Sequence, residues 1–212
     1  MKVYAEFHKE GYNQYRRITL LQFGESWDLL GSAVLKNPGS AQPMDKVSIE
    51  DLKLINSFLP TSQVNPENWY RFRADSTMGF LEKIFNGYYL GKEKNLDGVI
   101  QLFNLTYLKE PNLDLAHEKA NESKSHLLFP NVNELIMSFK KKPVYLGWFD
   151  TWKKINGAEP IAKGIFDALK NRSGNYLNAD FKENRFYHPM YINMHFKNPQ
   201  IISILREFQK LL

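Results

Sequence analysis

The chain contains no cysteine, and this absence excludes several kinds of chemistry. Disulfide bonds, thiolate nucleophiles, iron–sulfur clusters and cysteine-based zinc sites all require that side chain. The sequence also lacks an apolar run long enough to cross a bilayer, and its first residues show no signal-peptide pattern. We therefore expect a cytoplasmic protein that does not insert into a membrane.

Motifs for metals and phosphates are missing as well. The five histidines have no metal-ligand spacing, and no glycine-rich loop of the Walker or dinucleotide type occurs. The sequence thus predicts a protein that needs neither a metal nor a cofactor.

The residues that are present have the composition of an ordinary globular domain. The chain has 212 residues, of which 43% are hydrophobic and 24% charged, and its net charge is +5. This small positive excess is compatible with nucleic-acid binding and equally with a solvated lysine-rich surface. We expect one domain over residues 1–212, present as a monomer, with an N-terminal hairpin and connector in residues 1–30 and the core in residues 31–212.

A short apolar run, residues 33–35, stops at an Asn-Pro-Gly sequence. Pro38 has no amide hydrogen and favours an extended backbone at Asn37, so a strand is expected to end there. Gly39 allows the chain to turn or to approach a ligand closely. Because ligands bind at the ends of strands in open α/β sheets, this strand end is a candidate site.

Other segments alternate between strand and helix patterns. Core strands are predicted over residues 98–103, 143–147 and 184–187, in addition to the one before Asn37. The alternation favours a three-layer α/β/α domain with a mainly parallel, four-stranded central sheet. Residues 1–30 predict a β-hairpin that flanks this sheet.

Capping signals predict where helices begin. Ser48 with Asp51 resembles a capping box, and Asp75 precedes a second helical stretch. Residues 69–73 mix aromatic and basic side chains and allow two interpretations. They form either a half-buried strand with solvent-facing arginines or a surface that contacts nucleic acid or a partner protein.

Three polar residues mark the predicted ends of core strands: Asn37, Asn104 and His188. Each also has a common structural explanation, since asparagine stabilises turns and a single histidine is often only a packed side chain. If the strands are parallel, all three residues lie at one edge of the sheet. We expect them to border one pocket.

These blocks resemble the uracil-DNA glycosylase superfamily, especially its mismatch-specific and single-strand-selective branches. The similarity lies in the Asn-Pro-Gly sequence at Asn37, the Leu-Phe-Asn sequence ending at Asn104, the Leu-Gly pair 146–147 and the block 188–193. Over more of its length the chain is similar to an uncharacterised prokaryotic group, domain-of-unknown-function family 1643. That similarity adds the Tyr-Arg-Arg sequence at residues 15–17.

The resemblance implies a uracil-DNA glycosylase-like fold and hydrolysis of the N-glycosidic bond of a flipped-out base without a metal. Asn37 would position the attacking water, and His188 would donate a hydrogen bond to the departing base. Asn104 would read the hydrogen-bonding edge of the base. The expected partners are DNA or a nucleotide or nucleobase.

Further substrate contacts are implied around these three residues. The loop after Gly39 has no aromatic residue, so Phe80, Tyr70 or Trp69 would have to stack on the base. Tyr191 or Ile192 would fill the space left by the flipped base. The predicted substrate-binding residues besides Asn104 are Pro38, Gly39, Phe80, Tyr191, Ile192 and Asn193.

Two other functions remain open at this point. The same pocket could serve a non-catalytic, or differently catalytic, protein that binds a nucleotide or a small molecule. Alternatively, residues 69–73 could form an interaction surface for a partner protein.

Overall fold

The structure is a computed structural model that describes residues 1–59 and 64–212. Its centre is one sheet of seven strands. The strands are β1 (Lys2–Glu10), β2 (Asn13–Phe23), β3 (Leu29–Leu35), β4 (Pro43–Lys46), β5 (Trp69–Phe72), β6 (Gly98–Asn104) and β7 (Val144–Gly147). They are ordered β4-β5-β1-β2-β6-β3-β7 across the sheet.

Helices surround this sheet. They are α1 (Ile49–Phe58), α2 (Ser76–Phe85), α3 (Leu113–Glu122), α4 (Val132–Ser138), α5 (Thr151–Lys154), α6 (Ala158–Leu169), α7 (Pro189–His195) and α8 (Pro199–Gln209). The capping predictions are confirmed, because Ser48 accepts from the Asp51 amide and Asp75 accepts from the Met78 amide. Within the described residues, no helix is long and apolar enough to cross a membrane.

The sheet is mixed, so the prediction of a mainly parallel four-stranded sheet is wrong. Only β6, β3 and β7 run parallel to one another. The hairpin β1–β2 does not flank the sheet but lies inside it, with β2 antiparallel to β6 and β1 antiparallel to β5. The two strands of a hairpin are antiparallel to each other, so a sheet that contains both the hairpin and parallel strands is mixed.

Residues 184–187 are also not the predicted fourth strand. Phe186 has a left-handed backbone (φ 42°), which a continuous strand does not tolerate. Its carbonyl accepts from the Phe149 amide at 2.9 Å, and its ring packs on Trp148 with a centroid distance of 4.8 Å. The segment thus fills an aromatic pocket and forms no pairing with the sheet.

Helices pack on both faces of the sheet, as predicted for an α/β protein. On one face Leu35 and Leu102 lie in a core with residues of α2, α7 and α8. On the other face Val34 and Phe103 pack with residues of α4 and α6. The alternation follows from the period of two along a strand, which sends successive side chains to opposite faces.

The segment at residues 69–73 is a half-buried strand. Trp69 and Phe72 of β5 are buried, whereas Arg71 and Arg73 are exposed. This confirms the first of the two interpretations of that segment. Most of its aromatic surface is therefore in the core and is closed to a partner protein.

Candidate functional site

A cavity of about 180 Å³ lies at the carboxyl ends of β3 and β6, and we call it the strand-end cavity. Because these two strands are parallel neighbours, with Leu35 paired to Asn104, they end at the same edge of the sheet. The residues that line it come from several segments: Arg16, Leu35, Lys36, Asn37, Gly39, Ser40, Asp75, Ser76, Thr77, Leu102, Asn104, Glu110, Pro111, Leu113, His188 and Met190.

The structure brings the three predicted polar residues to this one cavity. Asn37 follows β3, and Asn104 is the last residue of β6. His188 arrives in a different way from the one expected, because it precedes the helix α7 and follows no strand. The convergence therefore depends on two parallel strands and on one helix N-terminus.

Most of the other predicted contacts do not line the cavity. Gly39 does, but Pro38, Phe80, Tyr191, Ile192 and Asn193 are not among its lining residues. Ile192 is 0% exposed and belongs to the apolar core, so its side chain lies away from the cavity. The reason is helical: Ile192 lies on the inward face of α7, one turn after His188.

Tyr191 and Asn193 are occupied elsewhere. The Tyr191 ring stacks on Tyr187, with a centroid distance of 5.2 Å and an angle of 4°. The Asn193 Oδ1 accepts from the Tyr89 hydroxyl at 2.9 Å. These contacts hold both side chains against neighbours of α7.

The described lining of the cavity contains no aromatic side chain. Trp69 is buried in a separate core cluster, and Tyr70 lies under the Lys46 ammonium at 4.2 Å from the ring centroid. Phe80 is half-buried on α2, with the Lys83 ammonium at 5.8 Å. The apolar part of the lining consists of aliphatic, proline and methionine side chains instead.

His188 is held as a neutral hydrogen-bond donor. Its Nδ1 accepts from the Met190 amide at 3.3 Å, which places the proton on Nε2. The side chain is 6% exposed, and burial, together with the positive charge of Lys36, lowers its pKa from 6.5 to about 3. At neutral pH the imidazole is uncharged and can donate from Nε2.

Asn37 is oriented by main-chain carbonyls. Its Nδ2 donates to the Glu110 carbonyl at 2.9 Å and to the Pro38 carbonyl at 3.2 Å. Both amide hydrogens therefore face backbone oxygens, and Oδ1 remains as an acceptor. An acceptor fixed in this way can orient a water molecule or a ligand N–H group.

Arg16 is the feature of the cavity that the sequence reasoning did not identify. The residue is 2% exposed, and its Nε and Nη1 have no hydrogen-bond partner among the residues that the structure describes. Its guanidinium carbon lies 5.7 Å from the centroid of the Phe72 ring. Burial lowers its pKa from 12.5 to about 10, partly offset by the charge of Asp75, so the side chain stays cationic at neutral pH.

An irregularity in β2 turns Arg16 toward the cavity. Ala5 pairs with Thr19 and Phe7 with Arg16, so two residues of β2, Arg17 and Ile18, lie opposite the single residue Glu6 of β1. Ala5 and Phe7 both lie on the core face. With strict alternation, Arg17 would share a face of the sheet with Thr19. Because of the extra residue, Arg16 shares that face instead.

The two carboxylates of the cavity already have partners. Asp75 Oδ1 accepts from the Met78 amide at 3.0 Å. Glu110 pairs with Lys119 at 2.7 Å, and that pairing lowers the pKa of its carboxyl. Glu110 is thus neutralised by Lys119, whereas Asp75 caps a helix and its charge also acts on Arg16 from beyond ion-pair distance.

Lys36 adds further positive charge to the lining. It is half-buried, and its burial and the neighbouring charge of Lys154 lower its pKa from the ordinary value. Among residues 1–59 and 64–212, no three histidine, aspartate or glutamate side chains are grouped to hold a metal ion. The polar groups of the cavity are amides, hydroxyls, an imidazole, two carboxylates and two cationic side chains.

A sequence signal for Arg16 was present. It stands beside Arg17 in a strand of otherwise mainly apolar and polar uncharged residues, and two consecutive arginines in a two-sided strand cannot both face solvent. Which of the two arginines faces inward depends on the pairing of β2 with β1, and the sequence of β2 alone does not predict it.

The fold and the cavity define this chain as an α/β protein with a mixed sheet and a polar cavity at its strand ends, lined by two cationic and two acidic side chains. No protein-family model, no curated protein and no solved structure matches the chain.

Proposed function

We propose that this chain processes nucleobases by a chemistry like that of uracil-DNA glycosylase and hydrolyses the N-glycosidic bond of a base that has left the stack. The observation that carries the proposal is that Asn37, Asn104 and His188 line one cavity. Its volume, about 180 Å³, is below the ~300 Å³ at which pockets for drug-sized ligands begin, and this favours a small ring.

The proposed reaction uses a water molecule and no metal. The water oxygen adds to C1′ of the sugar while the C1′–N bond breaks, the base leaves with the bonding electron pair, and the proton of the water passes to solvent. Negative charge grows on an oxygen of the departing base. A donor placed there stabilises that charge in the transition state.

His188 is proposed as that donor. Its Nδ1 is occupied by the Met190 amide, so the Nε2 hydrogen is the one available to a ligand. A neutral imidazole keeps its proton during the reaction and acts through its hydrogen bond. The burial that lowers its pKa supports this role, because the ring remains neutral over the physiological range.

Asn37 is proposed to position the attacking water, and Asn104 to read the base. The bond from Asn37 to the Glu110 carbonyl holds its Oδ1 in a fixed direction, which supports a positioning role. Asn104 is 1% exposed and its Nδ2 has no partner, so a base edge with an acceptor oxygen would satisfy it.

The test is a glycosylase assay on oligonucleotides that contain uracil, hypoxanthine or xanthine, single-stranded and double-stranded. We expect release of at least one of these bases by the wild-type chain. Absence of cleavage on all of them would contradict the hydrolase proposal. The expected cytoplasmic location, the monomeric state and the contact with DNA or a nucleotide belong to the same proposal.

A second candidate is a non-catalytic protein that binds a nucleotide or a small molecule in the same cavity. The lack of aromatic lining residues favours it, because a flipped base gains much of its binding energy by stacking. Thermal shifts with free bases and nucleotides, without cleavage or DNA binding, are the result expected for this candidate.

A further inference from the structure

Arg16 is buried at the strand-end cavity without an ion-pair partner. The structure gives it no carboxylate within 4 Å among residues 1–59 and 64–212, and Nε and Nη1 make no hydrogen bond. A cation enclosed in protein is costly unless an anion and hydrogen-bond acceptors compensate it. The Phe72 ring beneath the guanidinium offsets only part of this cost.

The carboxylates nearest to this cavity do not supply the missing anion. Asp75 is the carboxylate whose charge acts on Arg16, but it caps α2 through the Met78 amide and forms no ion pair with the arginine. Glu110 is taken by Lys119. Asp75 thus acts on the guanidinium only from beyond ion-pair distance, and within residues 1–59 and 64–212 no carboxylate pairs with it directly.

Other groups of the lining also favour a negative ligand. Lys36 is cationic and half-buried, and Asn104 has an enclosed Nδ2 without an acceptor. His188 adds a neutral donor. A ligand that brings several acceptor oxygens and a negative charge satisfies these groups together.

We infer that Arg16 anchors an oxyanion, so that the ligand of this cavity carries a carboxylate or phosphate group as well as a ring. The inference rests on the proposed function for the nucleobase part of the ligand. The anion itself follows from the unpaired guanidinium and the charged lining. This assigns a ligand class, a negatively charged nucleotide or base derivative, to the strand-end cavity.

The experiment compares two matched pairs of ligands with the full chain by calorimetry. Uridine against uridine 5′-monophosphate tests a phosphate, and uracil against uracil-6-carboxylate tests a carboxylate. We expect the charged member of at least one pair to bind about tenfold more tightly at low salt. The pair that shows the difference identifies which oxyanion the cavity prefers.

Two neighbouring variants locate the effect. Arg16→Gln is expected to remove the preference for the charged ligand, whereas Arg17→Gln is expected to keep it. Arg17 is the matched control because it lies next in the chain, pairs with Glu6 and does not line this cavity. Thermal unfolding without ligand shows whether each variant is folded.

The inference is overturned if neither charged ligand binds better than its neutral partner, or if the preference persists in Arg16→Gln. The wild-type comparison decides this even where a variant does not fold. The hydrolase proposal is tested by a different outcome, the cleavage of oligonucleotides. Charge preference without cleavage of any oligonucleotide removes the proposed reaction and leaves the anchor, whereas cleavage without charge preference removes the anchor and leaves the reaction.

Discussion

Arg16 and Arg17 are consecutive residues of β2 that lie in cavities on opposite faces of the sheet. Arg16 lines the strand-end cavity of about 180 Å³, and Arg17 lines a second cavity of about 160 Å³, which we call the Arg17 cavity. Arg17 Nη1 donates to Glu6 Oε1 at 3.1 Å. Arg16 has no such partner.

The difference shows how a structural cation can be distinguished from a ligand-binding one. The charge of Arg17 is satisfied by a side chain of the neighbouring strand, so its cavity needs no anion. The charge of Arg16 is offset only in part, by Asp75 beyond ion-pair distance and by the Phe72 ring, and the proposed oxyanion would complete its compensation. Cavities of similar size thus have different expected roles because of one ion pair.

The largest effect is expected on catalysis in the strand-end cavity. Asn37→Ala removes the oriented Oδ1, and cleavage of the preferred oligonucleotide should fall by about a hundredfold or more, in the range seen when a single polar group is removed from an active site. Single-turnover rates measure this. Glu134→Gln, in the Arg17 cavity, should leave the rate unchanged. Equal losses in the two variants would remove the functional distinction between the cavities.

The next effect is a dependence of stability on pH that comes from His188. Its pKa is about 3 in the folded chain and ordinarily 6.5, so the unfolded state takes up a proton between these values. The free energy of unfolding should therefore fall by a few kcal/mol as the pH is lowered from 6.5 toward 3. Above pH 6.5 the ring is neutral in both the folded and the unfolded chain, so its titration no longer changes the stability.

Chemical denaturation of wild type and His188→Asn at several pH values measures this contribution. Asparagine can still cap α7, so the variant removes the titrating ring and keeps the cap. His117, which lines neither cavity, also has a lowered pKa because it is partly buried, so only the difference between the two proteins is assigned to the strand-end cavity. An identical pH dependence in both proteins would argue against a buried neutral His188.

A smaller effect, of opposite sign in the two cavities, is expected when each arginine becomes apolar. Arg16→Met should raise the free energy of unfolding by about 1 kcal/mol or more, because it removes a buried cation without a partner. Arg17→Met should lower it by about 0.5–1 kcal/mol, since it breaks the pair with Glu6. Urea unfolding in the absence of ligand gives both values. A loss of stability in Arg16→Met would mean that Arg16 has a structural partner.

The smallest effect is expected for Glu6→Gln. This change removes the carboxylate that forms an ion pair with Arg17. The Arg17 side chain is 32% exposed, however, so water can solvate its charge. The expected loss is about 0.5 kcal/mol, with unchanged ligand binding in the strand-end cavity. Urea unfolding and calorimetry with uridine 5′-monophosphate test the two statements. Weaker nucleotide binding would show that the two cavities are coupled through β2.

Much of the local structure could be predicted because its causes lie within a few residues. Ser48 and Asp75 cap helices through amides three residues ahead, and Pro38 ends β3 close to where the apolar run stops. The meeting of Asn37 with Asn104 was also predictable. It follows from the parallel pairing of two apolar strands, which aligns their carboxyl ends.

The errors come from pairing between distant segments. The sequence of β1 and β2 predicts a hairpin outside the central sheet, yet β2 pairs with β6, about eighty residues later. Phe186 has the composition of a strand residue, but its left-handed backbone follows from packing on Trp148. For His188 a local signal existed, since Pro189 is suited to the first position of a helix.

The amino-acid sequence was enough for the α/β class, the first helix caps and the polar residues at the ends of β3 and β6. Those features depend on backbone propensity and on side-chain period, which act over one or two turns. The tertiary structure decided the mixed sheet, the helical position of His188 and the burial of Arg16 on the cavity side. These depend on tertiary packing, and a single extra residue in β2 opposite β1 selects which of two adjacent arginines faces the strand-end cavity.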